Sequence, residues 1–378
     1  MAIDDAVLLD PERLISEGGS VLAATASAGA ELRTGVAETD LDAVAALAAA
    51  GRPRALVVMG AGGSSAAGEV LAACAGRGSS VPIVTTAGPG LPGWVGPLDL
   101  VVAVSASGAS PETLAVVAEA GRRGCSIVGI SGSGADALQT AVAHARGLAL
   151  QVGRLPQPRR ARTLTWRLAA PLLLIGQALG IVEGGSGILD AVADELDVVT
   201  LQCGPGVELG ENPAKDLALA AAQGYPMVWG TPGVPAVAAR RASRQLAENA
   251  GLPSSSGAFP EIARTHARVL AGPWGHPDDD IFRDRVSEPE PSARPHLVLL
   301  SDDESDALST ELLLATESVA ASAGLWVQRI DGGSGHPLAR FGRLTQPLDL
   351  ASVYAAALVG ADPAGSAAGL HPALGTGR

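Results

Sequence analysis

LVVMGAGGSSAAGEVLAA (residues 56–73), VPIVTTAG (81–88) and LDLVVAVSASGASPETLAVVAEAGRRG (98–124) decide how this chain folds. An apolar run, Leu56 to Met59, ends in glycines and serines and opens at once into an alanine-rich helical pattern. The same event recurs where Leu100 to Val104 meets Ser105 to Thr113. Both read as strand–loop–helix units, because a short apolar run bounded by turn residues suits a buried strand and the periodic residues after it suit a helix. Each loop offers backbone N–H groups and small hydroxyls at a helix N-terminus, where the macrodipole favours an anion. Together the two loops predict one phosphate cradle.

Outward from that centre, composition narrows the class. The chain has 378 residues, long enough for two domains, with 47% hydrophobic residues but only 3% aromatic ones, so Ala, Val and Leu must build the core. A net charge of −13 repels polyanions and argues against nucleic acid as a partner, since phosphate-backbone affinity needs clustered Lys and Arg. Lys215 is the sole lysine. Cys74, Cys125 and Cys203 are sparse and far apart, which fits buried thiols in a reducing compartment. Residues 1–20 lack the basic and apolar regions of a signal peptide, and runs such as Leu168 to Leu179 fall short of the roughly 20 residues of a bilayer span. The expectation is a soluble cytoplasmic protein without membrane contact.

Residues 1–50 read as an N-terminal helical cap of two amphipathic patterns, the second starting at Asp40 and Asp42 and closed by Gly51. Residues 51–183 form a first α/β domain with strand candidates Ala55 to Met59, Val81 to Thr85, Leu100 to Val104, Ser126 to Ile130 and Gly147 to Val152. Their alternation with helical segments predicts a parallel sheet covered on both faces. GRLPQPRRAR (153–162) is a basic loop beside the cradle, with Arg154, Arg160 and Arg162 as solvated or anion-facing groups. Residues 184–378 repeat the grammar, with strands Pro226 to Gly230, Leu297 to Leu300 and Leu325 to Ile330, helices between them, and a C-terminal apolar helix (Leu348 to Leu358) and tail. A degenerate tandem duplication follows. Asp278 to Asp280 lie in an aperiodic segment without ligand spacing, so no metal site is expected.

GAGGSSAAG (60–68) carries the first two glycines of the dinucleotide fingerprint, but Ser65 takes the third place and VPIVTTAG lacks the acidic residue for a ribose. Ser105, Ser107, Ser110 and Thr113 exceed what helix capping uses and suit the oxygens of a phosphate. At these residues the chain resembles the sugar isomerase (SIS) domain, on GGS (62–64) and S-x-S-G-x-[ST]-x-E-T (105–113). PQPR (156–159), ENPAKDLA (211–218), ARRASRQLAENAG (239–251), FPE (259–261) and GADP (360–363) follow in the order seen in bifunctional phosphoglucose/phosphomannose isomerases, actinobacterial TobH-type proteins being most alike. The resemblance spans about residues 50–363 and is stronger in the first half.

What the resemblance implies is a fold of tandem SIS domains, each a flavodoxin-like parallel sheet flanked by helices. It implies a cofactor-free and metal-free aldose–ketose isomerase of phosphorylated sugars, associated as a homodimer. Gly63, Ser64, Ser105, Ser107 and Ser110 would hold the phosphate, Arg159 would stabilise the enediolate, and Glu248 would be the base moving a proton between C1 and C2. The family's ring-opening histidine is replaced by Arg264, which cannot shuttle protons, and His266 two residues on is the substitute expected. The family's C-terminal lysine is missing. Lys215 belongs to another motif and reads as a helix-surface or interface residue, while His336 and His371 are the candidates to replace the missing lysine. A phosphosugar-binding or regulatory protein that has lost proton transfer is the alternative.

Overall fold

Runs of apolar residues alternating with amphipathic stretches become alternating strands and helices in the computed structural model, which describes residues 3–134, 136–154, 161–184, 186–270 and 294–365. Three helices, α1 (Pro11–Ala26), α2 (Ala28–Ala37) and α3 (Leu41–Ala49), precede β1 (Leu56–Gly60), α4 (Ser65–Ala75), β2 (Ile83–Thr86), β3 (Leu100–Val104), α5 (Pro111–Arg122), β4 (Ser126–Ser131), α6 (Asp136–His144), β5 (Leu148–Gln151) and α7 (Thr165–Ala178). After α8 (Ser186–Gln202) come α9 (Pro213–Gln223), β6 (Gly224–Gly230), α10 (Val234–Ala250), β7 (Ser255–Ala258), α11 (Glu261–Leu270), β8 (Arg294–Ser301), α12 (Ala307–Ser322), β9 (Trp326–Asp331) and α13 (Pro337–Leu358). Two compact units result. One holds Ser27–Asp194; the other joins Met1–Ala26 to Glu195–Gly365, so the boundary falls within α8.

The Ser27–Asp194 unit is a five-stranded parallel sheet in the order β2-β1-β3-β4-β5. β1 and β3 are buried along their whole length, which is why they read as unbroken apolar runs rather than alternating ones. Val57, Met59, Val101 and Ala103 pack with Val116 and Val142 under α5 and α6. Val58 points the other way, against Gly68 of α4, where an added Cβ would lie 2.8 Å from it. The chain runs from β1 outward to β2 and from β3 outward in the opposite direction, so the two connections diverge between β1 and β3. In parallel sheets a crevice opens at the carboxyl ends of such a strand pair.

The second unit has the order β7-β6-β8-β9, again all parallel. It is the first sheet's order without the fifth strand, as a duplication requires. Trp229, Phe259, Leu297, Leu299 and Leu313 fill one face, and α9, α10 and α13 pack together with the sheet. Between α10 and α13 lies a buried ion pair: Arg241 donates from Nε to Asp349 Oδ1 at 3.0 Å and from a terminal nitrogen to Oδ2 at 2.7 Å.

Residues 3–50 hold three α-helices rather than two, preceded by a short 3₁₀ turn (Asp5–Leu9), and they are divided between the units. Within α1, Gly19 adopts φ +49 and kinks the helix. α1 packs on α13, where Gln346 Nε2 donates to Thr25 O at 2.9 Å, and Asp4 N donates to Leu358 O at 3.1 Å. α2 and α3 instead pack on α7, and Asp40 caps α3 by accepting from Ala43 N at 2.9 Å. Lys215 corrects another expectation: it is not a surface residue but 2% exposed, its Nζ donating to Leu8 O at 2.7 Å. β7 adds a strand to those expected from sequence, and α13 begins at Pro337 rather than near Leu348. No helix among the described residues is long and apolar enough to cross a membrane.

Candidate functional site

The two serine–glycine loops lie side by side because their strands do. Gly60 and Val104 are the last paired residues of β1 and β3, and the chain beyond each opens at the crevice described above. A short 3₁₀ turn, Gly62–Ser64, leads into α4, while Ser105 to Ser110 lead into α5. Ser105 is the hub: its Oγ accepts from Gly108 N at 3.0 Å and lies 3.4 Å from Ser107 Oγ and 3.3 Å from Ser110 Oγ. Gly108 has φ +65, which lets the backbone turn back on that hydroxyl. Ser64 joins the loops, its Oγ accepting from Ala106 N at 3.4 Å.

Ser110 is the N-cap of α5, yet its side chain makes no capping bond and is turned toward Ser105 instead. Thr113, in the first turn of α5, is fully buried, and its Oγ1 has no hydrogen-bond partner. Contacts of 3.3 to 3.4 Å between hydroxyls are long for O–H···O bonds, whose usual range ends near 3.0 Å. Charge-assisted bonds to an oxyanion are shorter and about twice as strong. The arrangement is chemically suited to exchange the first kind for the second.

Gly63 is needed for smallness rather than freedom. Its φ is ordinary, but a Cβ there would lie 2.5 Å from Arg162 N and 2.8 Å from Ala161 C. The turn Ala161–Thr163, which follows the basic stretch in sequence, therefore sits directly against Gly63. Sequence reasoning misses this backbone contribution, for which a glycine beside a serine is the only signal. Arg159, Arg160 and His371 lie outside the described residues.

Glu248 and His266 belong to the other unit. Glu248 is exposed in the last turn of α10, before Gly251 in the left-handed conformation. A carboxylate there opposes the helix dipole, so local helix stability does not account for it. EIARTH (261–266) lies on α11, where Arg264 and His266 are two residues and thus about 200° apart around the axis. His266 therefore does not share Arg264's direction. Its Nδ1 is 2.8 Å from Thr265 Oγ1 and its ring meets Trp229 edge-on at 6.2 Å. His336 caps α13, its Nδ1 accepting from Leu338 N at 3.2 Å. Among the described residues no cluster of three or more His, Cys, Asp or Glu is arranged to hold a metal.

Comparison with known proteins adds the following. Residues 210–368 match the bacterial phospho-glucose isomerase C-terminal SIS domain. A bifunctional phosphoglucose/phosphomannose isomerase of Caldicellulosiruptor bescii is 27% identical over 207 residues, 55% of this chain and 60% of that relative's length. The match thus spans less than two thirds of the relative. Three solved structures share the fold. A hypothetical protein from Thermus thermophilus has a TM-score of 0.69 at 16% identity, with 97% of this chain and 93% of that one covered. The C-terminal domain of glucosamine-fructose-6-phosphate aminotransferase from Francisella tularensis has 0.59 at 15%, with 92% and 96% covered. Glucosamine-6-phosphate deaminase from Thermotoga maritima has 0.61 at 12%, with 91% and 96% covered.

At these identities the structural likenesses show the fold alone. The family match falls on the second half, the part in which the motif resemblance is the weaker.

Proposed function

Taking the chain as a tandem SIS-domain protein of the bifunctional phosphoglucose/phosphomannose isomerase branch, we propose that it is a phosphosugar aldose–ketose isomerase. It interconverts glucose 6-phosphate or mannose 6-phosphate with fructose 6-phosphate through an enediolate and needs neither cofactor nor metal. The observation that carries this reading is the convergence of Ser64, Ser105, Ser107 and Ser110 at the divergence point of one parallel sheet. Gly63 allows the close approach that completes the cradle. The phosphate fixes the sugar so that binding energy at a non-reacting group orients the reacting carbons. Glu248 takes the proton from C2 and returns it to C1, and Arg159 stabilises the developing oxyanion. His266 is the ring opener, acting in a homodimer in the cytoplasm.

A second reading has its own support. Arg264 stands where ring opening needs a titrating group, and His266 is turned away from that direction and held against Trp229. Under that reading the chain binds phosphosugars without converting them. One experiment separates the two: incubation with each hexose 6-phosphate in deuterated water, followed for fructose 6-phosphate and for deuterium at C2. Turnover that Glu248→Gln abolishes while the phosphosugar still raises the melting temperature supports the isomerase. A thermal shift without turnover or label in the parent protein leaves only binding.

A further inference from the structure

The duplicated sheets permit a position-by-position comparison. Gly60 pairs with Val104 where β1 and β3 end, and Gly230 pairs with Leu300 near the ends of β6 and β8. Six residues beyond Val104, Ser110 is the N-cap of α5; six beyond Leu300, Asp306 is the N-cap of α12. The two loops thus have equal length, SASGAS (105–110) against SDDESD (301–306). In both units a hydroxyl of the preceding loop bridges across: Ser64 to Ala106 N in the first, Thr231 Oγ1 to Ser305 Oγ at 2.7 Å in the second.

Chemistry is inverted between them. The first loop has no charge and the second has four carboxylates, of which Asp302 alone is drawn inside. Asp302 Oδ2 accepts from Arg340 at 2.7 Å, and Oδ1 accepts from Ser305 Oγ at 3.1 Å. Arg340 is itself 6% exposed, and its buried Nε has no hydrogen-bond partner. A buried guanidinium and a hydroxyl that converge on one carboxylate are the donor set of an oxyanion site.

We infer that the second divergence point is an anion site which the chain fills with its own carboxylate, Asp302, so that it refuses exogenous phosphate. The inference stands on the donor set around Asp302 and does not require isomerase activity.

Asp302→Gly removes the internal anion and leaves the donors in place. Its melting temperature is expected to fall, and formate or acetate is expected to restore at least half of the loss saturably, whereas chloride at equal ionic strength is not. Adding Arg340→Gln should abolish the restoration. If Asp302→Gly folds only with formate, the result supports the inference in stronger form. If formate acts no better than chloride, or the variant folds under neither condition, the inference is overturned. Crystals of the parent protein soaked in selenate give a second test: anomalous density at residues 301–306 would also overturn it, whereas occupancy at 105–110 bears on the phosphate reading alone.

Discussion

Gly63→Ala puts the cradle's construction to a direct test. Because the φ of Gly63 is ordinary, alanine is allowed by the backbone and only space is at issue. The new methyl carbon would lie 2.5 Å from Arg162 N and 2.8 Å from Ala161 C and Arg162 Cα, all backbone atoms that no side-chain rotation can move aside. Restoring van der Waals separation means parting the two turns by roughly 1 Å. Overpacking of this kind costs about 1–3 kcal/mol. In a unit of this size that corresponds to a fall in melting temperature of roughly 2–12 °C.

The displacement also moves Ser64 away from Ala106, whose N–H it meets at 3.4 Å. If Ser64 holds a sugar phosphate as proposed, loss of that one charge-assisted bond, worth about 1.5–3 kcal/mol, weakens phosphosugar binding at least tenfold. Urea denaturation with an unchanged slope and a lower midpoint reads the first effect, and ligand titration by calorimetry reads the second. Gly62→Ala is the control: at φ +55 it strains the backbone, but its methyl meets nothing within 4 Å. If Gly63→Ala matches the parent protein in both midpoint and affinity, the close approach of residues 161–163 is not what shapes the site.

Three further outcomes are expected. Arg241→Met leaves Asp349 buried without its cation and lowers stability by about 3–5 kcal/mol in urea, while Arg241→Met/Asp349→Leu recovers most of that loss. An amine-reactive ester leaves Lys215 unmodified in the folded protein and modifies it in denaturing urea, as peptide mass mapping will show; labelling of Lys215 in the native state would refute its burial. Burial also holds the His296 imidazole below its ordinary pKa. The unfolded chain therefore takes up a proton that the folded chain resists, so stability is full above about pH 6.5 and is lost as pH falls below it. His296→Leu should flatten the melting temperature over that acidic range, and an unchanged slope would remove the assignment.

What the sequence discloses and what it hides follow from where the free energy resides. β1 and β3 are legible because both faces are buried along their full length, so an unbroken apolar run is required. β7 is hard to see because SSGA is a half-buried edge strand with almost no apolar content. α13 reads too short because Pro347 looks like a break, whereas it is buried inside one continuous helix that starts with Pro337 in its first turn. The serines of the cradle are visible from residue type and spacing, but the seat of Gly63 against Arg162 is not, since it depends on a contact remote in the chain. Lys215 passes for a surface residue for the same reason: its partner is a carbonyl 207 residues distant.

The composition of the second unit from two separate stretches bears on how the chain is made. Ser27–Asp194 can assemble its parallel sheet as it leaves the ribosome, whereas α1 emerges earlier and has no surface to settle on. Thr25 waits for Gln346, 321 residues later, before its carbonyl finds its donor. Closing so long a loop is entropically slow, and domains that are continuous in sequence tend to form first. α1, made before the whole of the other unit, is thus among the last pieces to find its place.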